Sequence, residues 1–107
     1  MEGRFNLVLE TGDGRLIGYL FTMHFLDELH VNKIAVDSEW RRAGLASKLM
    51  ERCFEFARQN EIRSITLEVR ESNEAARGLY RSLGFVEAYV RPRYYPEGES
   101  AVVMVRE

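Results

Sequence analysis

The sequence predicts an α+β fold of order βββαβαββ, a mixed sheet with helices on both faces. Three observations carry that expectation. Residues 5–36 are apolar runs broken by tight-turn signals, residues 42–60 switch to helical spacing, and the rest reads as strand, helix, strand, strand. At 107 residues there is room for one core and not two, so residues 1–107 are expected to form a single domain.

The first apolar run, residues 5–9, ends at Thr11-Gly12-Asp13-Gly14, where Asp-Gly and a second glycine signal a hairpin. The return strand, residues 16–25, is rich in the aromatic and aliphatic side chains that strands favour. Asp27-Glu28 reads as the next turn and residues 29–36 as the third strand, completing an antiparallel meander. From Arg42 to Asn60 the residues Leu45, Leu49, Cys53 and Phe56 recur at helical spacing, flanked by Ala46, Met50, Phe54 and Ala57. Ile65, Leu67 and Val69 then alternate with polar residues as a strand, too far from the meander for a hairpin and therefore a crossover strand parallel to its neighbour. Ser72-Asn73 can cap a second helix with the stripe Ala76, Leu79, Tyr80 and Leu83, stopped by Gly84. Residues 85–90 and 101–105 are the last strands, joined by a loop holding Pro92 and Pro96.

Composition narrows the function classes. Apolar residues at 46% and charged residues at 30% describe a globular chain. Lys plus Arg number 15 and Asp plus Glu 17, a formal charge of −2, so there is no overall attraction to nucleic acid or to a membrane surface. No stretch is long and apolar enough to span a bilayer, and residues 1–20 lack a signal peptide's apolar core. One cysteine, Cys53, excludes an intramolecular disulfide framework and fits a cytoplasmic setting. Cys53 faces inward on its helix, and His24 and His30 lack companions at metal spacing, so neither a nucleophile nor a metal is expected. Trp40 is expected to pack beneath the loop that follows it.

The strongest site signal is Arg41-Arg42-Ala43-Gly44-Leu45-Ala46, between the third strand and the first helix. Unpaired N–H groups at a helix start, in a positive dipole field, suit a pyrophosphate, and small residues let it approach the backbone. Two solvated arginines beside a flexible glycine would read the same way. A Walker loop is excluded because no Gly-Lys-Ser/Thr follows, and a dinucleotide fingerprint lacks its third glycine.

Read with their neighbours, these residues resemble a known family. Arg41-x-x-Gly44-x-Ala46 is similar to the pyrophosphate motif of the GNAT-superfamily N-acetyltransferases, and Asn32-Lys33-Ile34-Ala35-Val36-Asp37 to the strand that precedes it there. Leu67-Glu68-Val69-Arg70, Ser72-Asn73, Leu79-Tyr80 and Leu83-Gly84-Phe85 match the RimI-like subgroup in order and spacing. Arg93-Tyr94-Tyr95-Pro96 resembles the tyrosine loop of N-terminal acetyltransferases. The family normally opens with a further strand and helical pair that line the acceptor groove, and this sequence starts almost directly in what resembles the second strand. The wall is then supplied by a partner, left open, or lost by truncation, and a homodimer is expected to cover an apolar face or open edge near residues 5–9.

The resemblance implies acetyl-CoA as cosubstrate and no metal. It implies Glu68 as base, through water, and Tyr80 as acid for the departing thiolate, although a solvated strand glutamate and a core tyrosine would carry the same spacing. It also implies that Ile34, Ala35 and Val36 contact the pantetheine arm, with the Val36 N–H as oxyanion donor. Arg41, Arg42, Ala43, Gly44, Leu45, Ala46 and Ser47 would hold the pyrophosphate, and Asn73 would cap its helix and touch the cofactor. Tyr94 and Tyr95 would grip the acceptor, or simply pack a hairpin loop. An α-amine of pKa ~7.8 is roughly 10% neutral near pH 7, whereas a lysine of pKa ~10.4 is below about 0.1%, so a carboxylate base working through water favours a protein or peptide N-terminus. A small-molecule amine acceptor, a regulatory non-catalytic module and a structural domain without cofactor are the alternatives, and the last leaves the Arg41–Ala46 segment unexplained.

Overall fold

The computed structural model describes residues 2–107, apart from the side chains of Arg42 and Ala43. The chain divides into two compact units, Met1–Arg63 and Ser64–Glu107.

The first unit opens with three strands, β1 (Glu2–Glu10), β2 (Leu16–Phe25) and β3 (Glu28–Val36). They form the expected antiparallel meander. Strict alternation in β1 turns Phe5, Leu7 and Leu9 to one face and Arg4, Asn6 and Val8 to the other. The first hairpin closes through Thr11 N to Arg15 O at 2.9 Å and Gly14 N to Thr11 O at 2.9 Å. The second turn is Leu26-Asp27 and not Asp27-Glu28: Phe25 pairs with Glu28, which leaves a two-residue loop with Leu26 at φ 56°. A bulge between Phe21 and Thr22 accompanies a wholly buried Thr22, whose hydroxyl donates to Phe5 O at 2.7 Å.

A 3-10 helix, Ser38–Ala43, and then α1, Leu45–Gln59, follow β3. The helical periodicity that begins at Arg42 is therefore interrupted. Gly44 lies between the two helices at φ 73°, a left-handed conformation that ends one and starts the other. Leu49, Met50, Cys53, Phe54 and Ala57 form the buried stripe of α1. On this helix Phe56 stacks on Phe5 at 4.2 Å between ring centroids and meets His24 edge-on at 5.4 Å.

The second unit holds β4 (Ser64–Arg70), α2 (Glu74–Ser82), β5 (Val86–Arg91) and β6 (Ala101–Arg106). Within it β6 is central and antiparallel to both β4 and β5. Its run Ala101, Val102, Val103 and Met104 is buried on both faces, as a central strand's should be. The Asn73 side chain caps α2 by accepting from Ala76 N at 3.1 Å. At the other end Gly84 adopts φ 95° and Arg106 Nε donates to Leu83 O at 3.0 Å, closing the helix. Arg77 and Arg81 both bind Glu87 of β5, their nearest contacts 2.8 Å, and so tie α2 to that strand. The strand and helix order matches the α+β expectation, the 3-10 helix being the one addition.

Candidate active site

In the first unit the expected cofactor residues lie at the end of β3 and the start of α1. Asp37 accepts from Glu39 N at 3.0 Å and so caps the 3-10 helix; this bond, more than the nearby Arg15 and Arg41, holds its carboxyl below the usual range. Arg15 pairs with Asp37 at 3.1 Å and fixes the β2 side of the same corner. Trp40, expected beneath the loop, is instead 36% exposed, on a tight turn closed by Trp40 N to Asp37 O at 2.8 Å. Arg41 points back along the chain, its Nε donating to Val36 O at 3.2 Å.

Gly44 serves two ends. Its conformation excludes ordinary side chains at little cost to glycine alone, and a Cβ built there meets nothing within 4 Å. Gly44 offers no side-chain cap and the first turn of α1 carries no acidic residue. The N–H groups of Leu45, Ala46 and Ser47 precede the first intrahelical donor, Lys48 N to Gly44 O at 3.1 Å, and so have no acceptor within the helix. A helix start of this kind can receive an anion. The side chains of Arg42 and Ala43, expected to assist, lie outside the described residues.

The ladder with β2 decides which β3 backbone groups are spent on that strand. Asp37 N bonds Ile17 O at 2.7 Å, so the next pair, Val36 with Gly18, is a non-hydrogen-bonded one. By alternation Val36 and Ile34 turn their N–H and C=O groups away from β2, while Ala35 spends its own on Tyr19. A cavity of about 250 Å³ lined by Leu16, Ile17, Gly18, Tyr19, Ala35, Val36 and Asp37 lies at this end of the strands. A larger cavity of about 520 Å³ lies in the same unit between Leu7–Leu9 and Lys48–Glu55, and none of the expected site residues lines it.

In the second unit Glu68 is half-buried on β4 and accepts from the Tyr94 hydroxyl at 3.3 Å. That bond is long for O–H···O. Burial pushes the Tyr94 phenol up, and the Glu68 carboxylate adds to the effect against an opposing Arg91. Tyr95 meets Tyr94 edge-on at 5.0 Å and lies under the Arg70 guanidinium at 4.0 Å. Tyr80 is 7% exposed on α2, edge-on to Phe85 at 5.7 Å, and burial pushes its phenol above the ordinary value. Tyr80 has no hydrogen-bond partner among the described residues, and no side-chain polar atom among them is both buried and unpartnered, so its hydroxyl reaches the surface. Asn73 spends its side-chain oxygen on capping α2 and keeps its amide nitrogen for another contact.

Cys53 is fully buried, as expected of a core position. His30 Nδ1 lies 2.8 Å from Asn32 Oδ1, and no group of three His, Cys, Asp or Glu that could hold a metal occurs among the described residues. No described helix is long and apolar enough to cross a membrane. The sequence reading missed Arg70, Glu97 and Glu99 as a group. Glu97 and Glu99 flank Gly98, which turns the chain at φ 99°, so no period in the sequence signalled the group.

Comparison with known proteins identifies the family. The acetyltransferase (GNAT) family matches residues 2–85. A [ribosomal protein bS18]-alanine N-acetyltransferase of Salmonella typhimurium is 41% identical over 106 residues, 96% of this chain and 71% of that protein. The crystal structure of the Escherichia coli ribosomal-protein-S18-alanine N-acetyltransferase superposes with a TM-score of 0.87 at 39% identity, covering 96% of this chain and 68% of that one. A nourseothricin acetyltransferase superposes with a TM-score of 0.88 at 28% identity, over 96% of this chain and 64% of its own. The chain thus spans about two thirds of the length of these relatives.

Proposed function

The chain belongs to the acetyltransferase (GNAT) family, and from that premise we propose that it moves the acetyl group of acetyl-CoA to the α-amine of a protein N-terminus, with alanine as the first residue to test. The observation that carries the reading is the contact between Glu68 and Tyr94. It joins a carboxylate able to take a proton to a loop whose tyrosines can grip a peptide.

Each residue set then has a task. The uncapped N–H groups of Leu45, Ala46 and Ser47 receive the pyrophosphate, and Gly44 brings no side chain into its way. Not being spent on β2, the Ile34 backbone groups suit the pantetheine arm, and the Val36 N–H suits the oxygen on which charge develops. Ala35 contributes side-chain contact only, because its backbone groups serve the ladder. The amide nitrogen of Asn73 is free to meet the cofactor. Glu68, through water, takes one proton from the amine as its N–C bond forms. Tyr80 gives one proton to the sulfur as the C–S bond breaks, so charge balances over the transfer. Its raised pKa keeps that proton in place at neutral pH.

The test is mass spectrometry of two peptides incubated with enzyme and acetyl-CoA, one with a free N-terminal alanine and one blocked there but carrying a lysine. Acetylation of the first alone is expected. Equal acetylation of the lysine would remove the α-amine assignment, and acetyl-CoA binding without turnover on any amine would leave a regulatory module. A small-molecule acceptor is the second reading, favoured by the fold shared with the nourseothricin enzyme. A cytoplasmic setting belongs to the main reading, since its acceptor would be a ribosomal protein. So does a homodimer through the meander, supported by the exposed Val8, Phe25 and Leu26. Light scattering at the mass of one chain over a wide concentration range would remove the dimer.

A further inference from the structure

We propose that Arg70 is a positioning residue for the acceptor, fastening the loop between β5 and β6 so that the Tyr94 hydroxyl is held against Glu68. The inference deepens the proposed function and rests on its assignment of Glu68 and Tyr94 to the incoming amine.

Strand register explains why Arg70 can act this way. Ala101 of β6 pairs with Arg70 on one side and with Arg91 on the other, so the end of β4 is level with both ends of the loop formed by residues 92–100. From that place one guanidinium makes contacts of two kinds. It lies 4.0 Å from the centre of the Tyr95 ring, and its Nη1 donates to both Glu97 Oε1 and Glu99 Oε1, the latter at 3.1 Å. Glu99 is held again by Ser72 N at 2.9 Å through its other oxygen. The loop adds Tyr95 N to Glu99 O at 3.1 Å, Gly98 N to Tyr95 O at 2.8 Å and Glu71 N to Ser100 O at 3.1 Å.

A single exposed ion pair would matter little. Here two carboxylates and an aromatic face converge on one planar cation, an arrangement that a lysine cannot reproduce in full. Because Tyr94 meets Tyr95 edge-on, fixing Tyr95 limits where Tyr94 can go. The Tyr94–Glu68 bond is already long at 3.3 Å, so a loosened loop would lose it. None of the residues in this network is among those assigned above to acetyl-CoA, so acetyl-CoA binding should not depend on it.

The test compares wild type with Arg70→Met, Arg70→Lys and Glu99→Gln in the full chain. Its readouts are steady-state kinetics on the N-terminal alanine peptide, acetyl-CoA calorimetry, melting temperature, and an NMR titration of the Tyr94 ring. Arg70→Met should raise the acceptor KM roughly tenfold, the scale of a misplaced positioning group. Its acetyl-CoA affinity and melting temperature should hold, and the Tyr94 midpoint should drop toward that of an ordinary tyrosine. Arg70→Lys should recover part of both effects, and Glu99→Gln should repeat Arg70→Met in weaker form. An unchanged acceptor KM in Arg70→Met would overturn the proposal, as would losses spread equally over both substrates and the melting temperature. If wild type acetylates no peptide, the functional reading fails by itself. The Tyr94 midpoint then decides the clamp, a drop sustaining it and an unchanged value removing it.

Discussion

In the proposed function, Tyr80 and Glu68 handle protons in opposite directions. Burial raises the Tyr80 phenol, which therefore holds its proton across the neutral range and can release it only to a base formed at the site. Replacing it by phenylalanine removes a hydroxyl with no bonding partner among the described residues and keeps the ring against Phe85, so fold and acetyl-CoA affinity should persist. Turnover should fall by ~10²–10⁴-fold, the usual size of a general-acid contribution. Steady-state kinetics check this, and near wild-type turnover would remove Tyr80 from the role. Glu68→Gln should behave differently. Its deficit should be largest where the acceptor amine is still protonated and shrink as pH rises past the amine's pKa. Rate profiles from about pH 6 to 10 separate that outcome from a pH-independent loss, which would mark Glu68 as a positioning group.

At the level of elements, the two helix boundaries make a matched pair. Gly44 and Gly84 both sit at positive φ, 73° and 95°, but a Cβ at Gly44 meets nothing within 4 Å while one at Gly84 comes 3.2 Å from Arg106 Nε. Gly44→Ala should therefore cost about 1 kcal/mol for conformation alone. Gly84→Ala should cost more, because it also displaces the Arg106 bond to Leu83 O that closes α2. Urea denaturation of the two variants gives the comparison, and equal losses would mean that Arg106 yields freely. These boundaries also show what the sequence made legible. Apolar runs ended by turn signals located β1 and β2, period-two alternation located β4, the apolar stripe located α1, and Asn73 and Gly84 marked the ends of α2, because each signal arises from local geometry. The same logic placed Cys53 in the core. The 3-10 helix was not legible, since six residues make too few turns for a period to emerge. Nor was the Ala35 backbone's commitment to β2, which depends on how two strands register. The Arg70 cluster joins residues 27 and 29 positions apart, and only folding brings their charges together.

Over the whole molecule, ionisation should set both ends of the stability profile. Asp37, Glu87, Glu97 and Glu99 are held below their ordinary values by hydrogen bonds, from backbone Glu39, Arg77, Arg70 and Ser72 respectively as first cause. A lowered folded pKa contributes stability that is present above the unfolded value, 3.8 for Asp or 4.5 for Glu, and is lost as pH falls through the folded one. Glu87 and Glu97 are exposed and Asp37 and Glu99 only half-buried, so this acid limb should be shallow. The alkaline limb has the opposite sign. Tyr80, Tyr94 and Tyr95 are all raised, with burial the first cause in each. Their contribution is complete below the unfolded value of 10.0 and is lost as pH rises through the folded values, because the unfolded chain ionises first. Tyr80 is the most buried of the three, so it should dominate, and all three lie in the unit Ser64–Glu107. Melting temperatures of wild type should therefore be flat up to about pH 9.5 and drop beyond it, whereas Tyr80→Phe should keep most of its neutral value to higher pH. Absorbance near 295 nm, read alongside, reports phenolate formation and should lag in wild type until the cooperative loss of structure begins. Parallel alkaline slopes for the two proteins would assign the limb to the more exposed tyrosines and leave the Tyr80 phenol without a stabilising part in the folded chain.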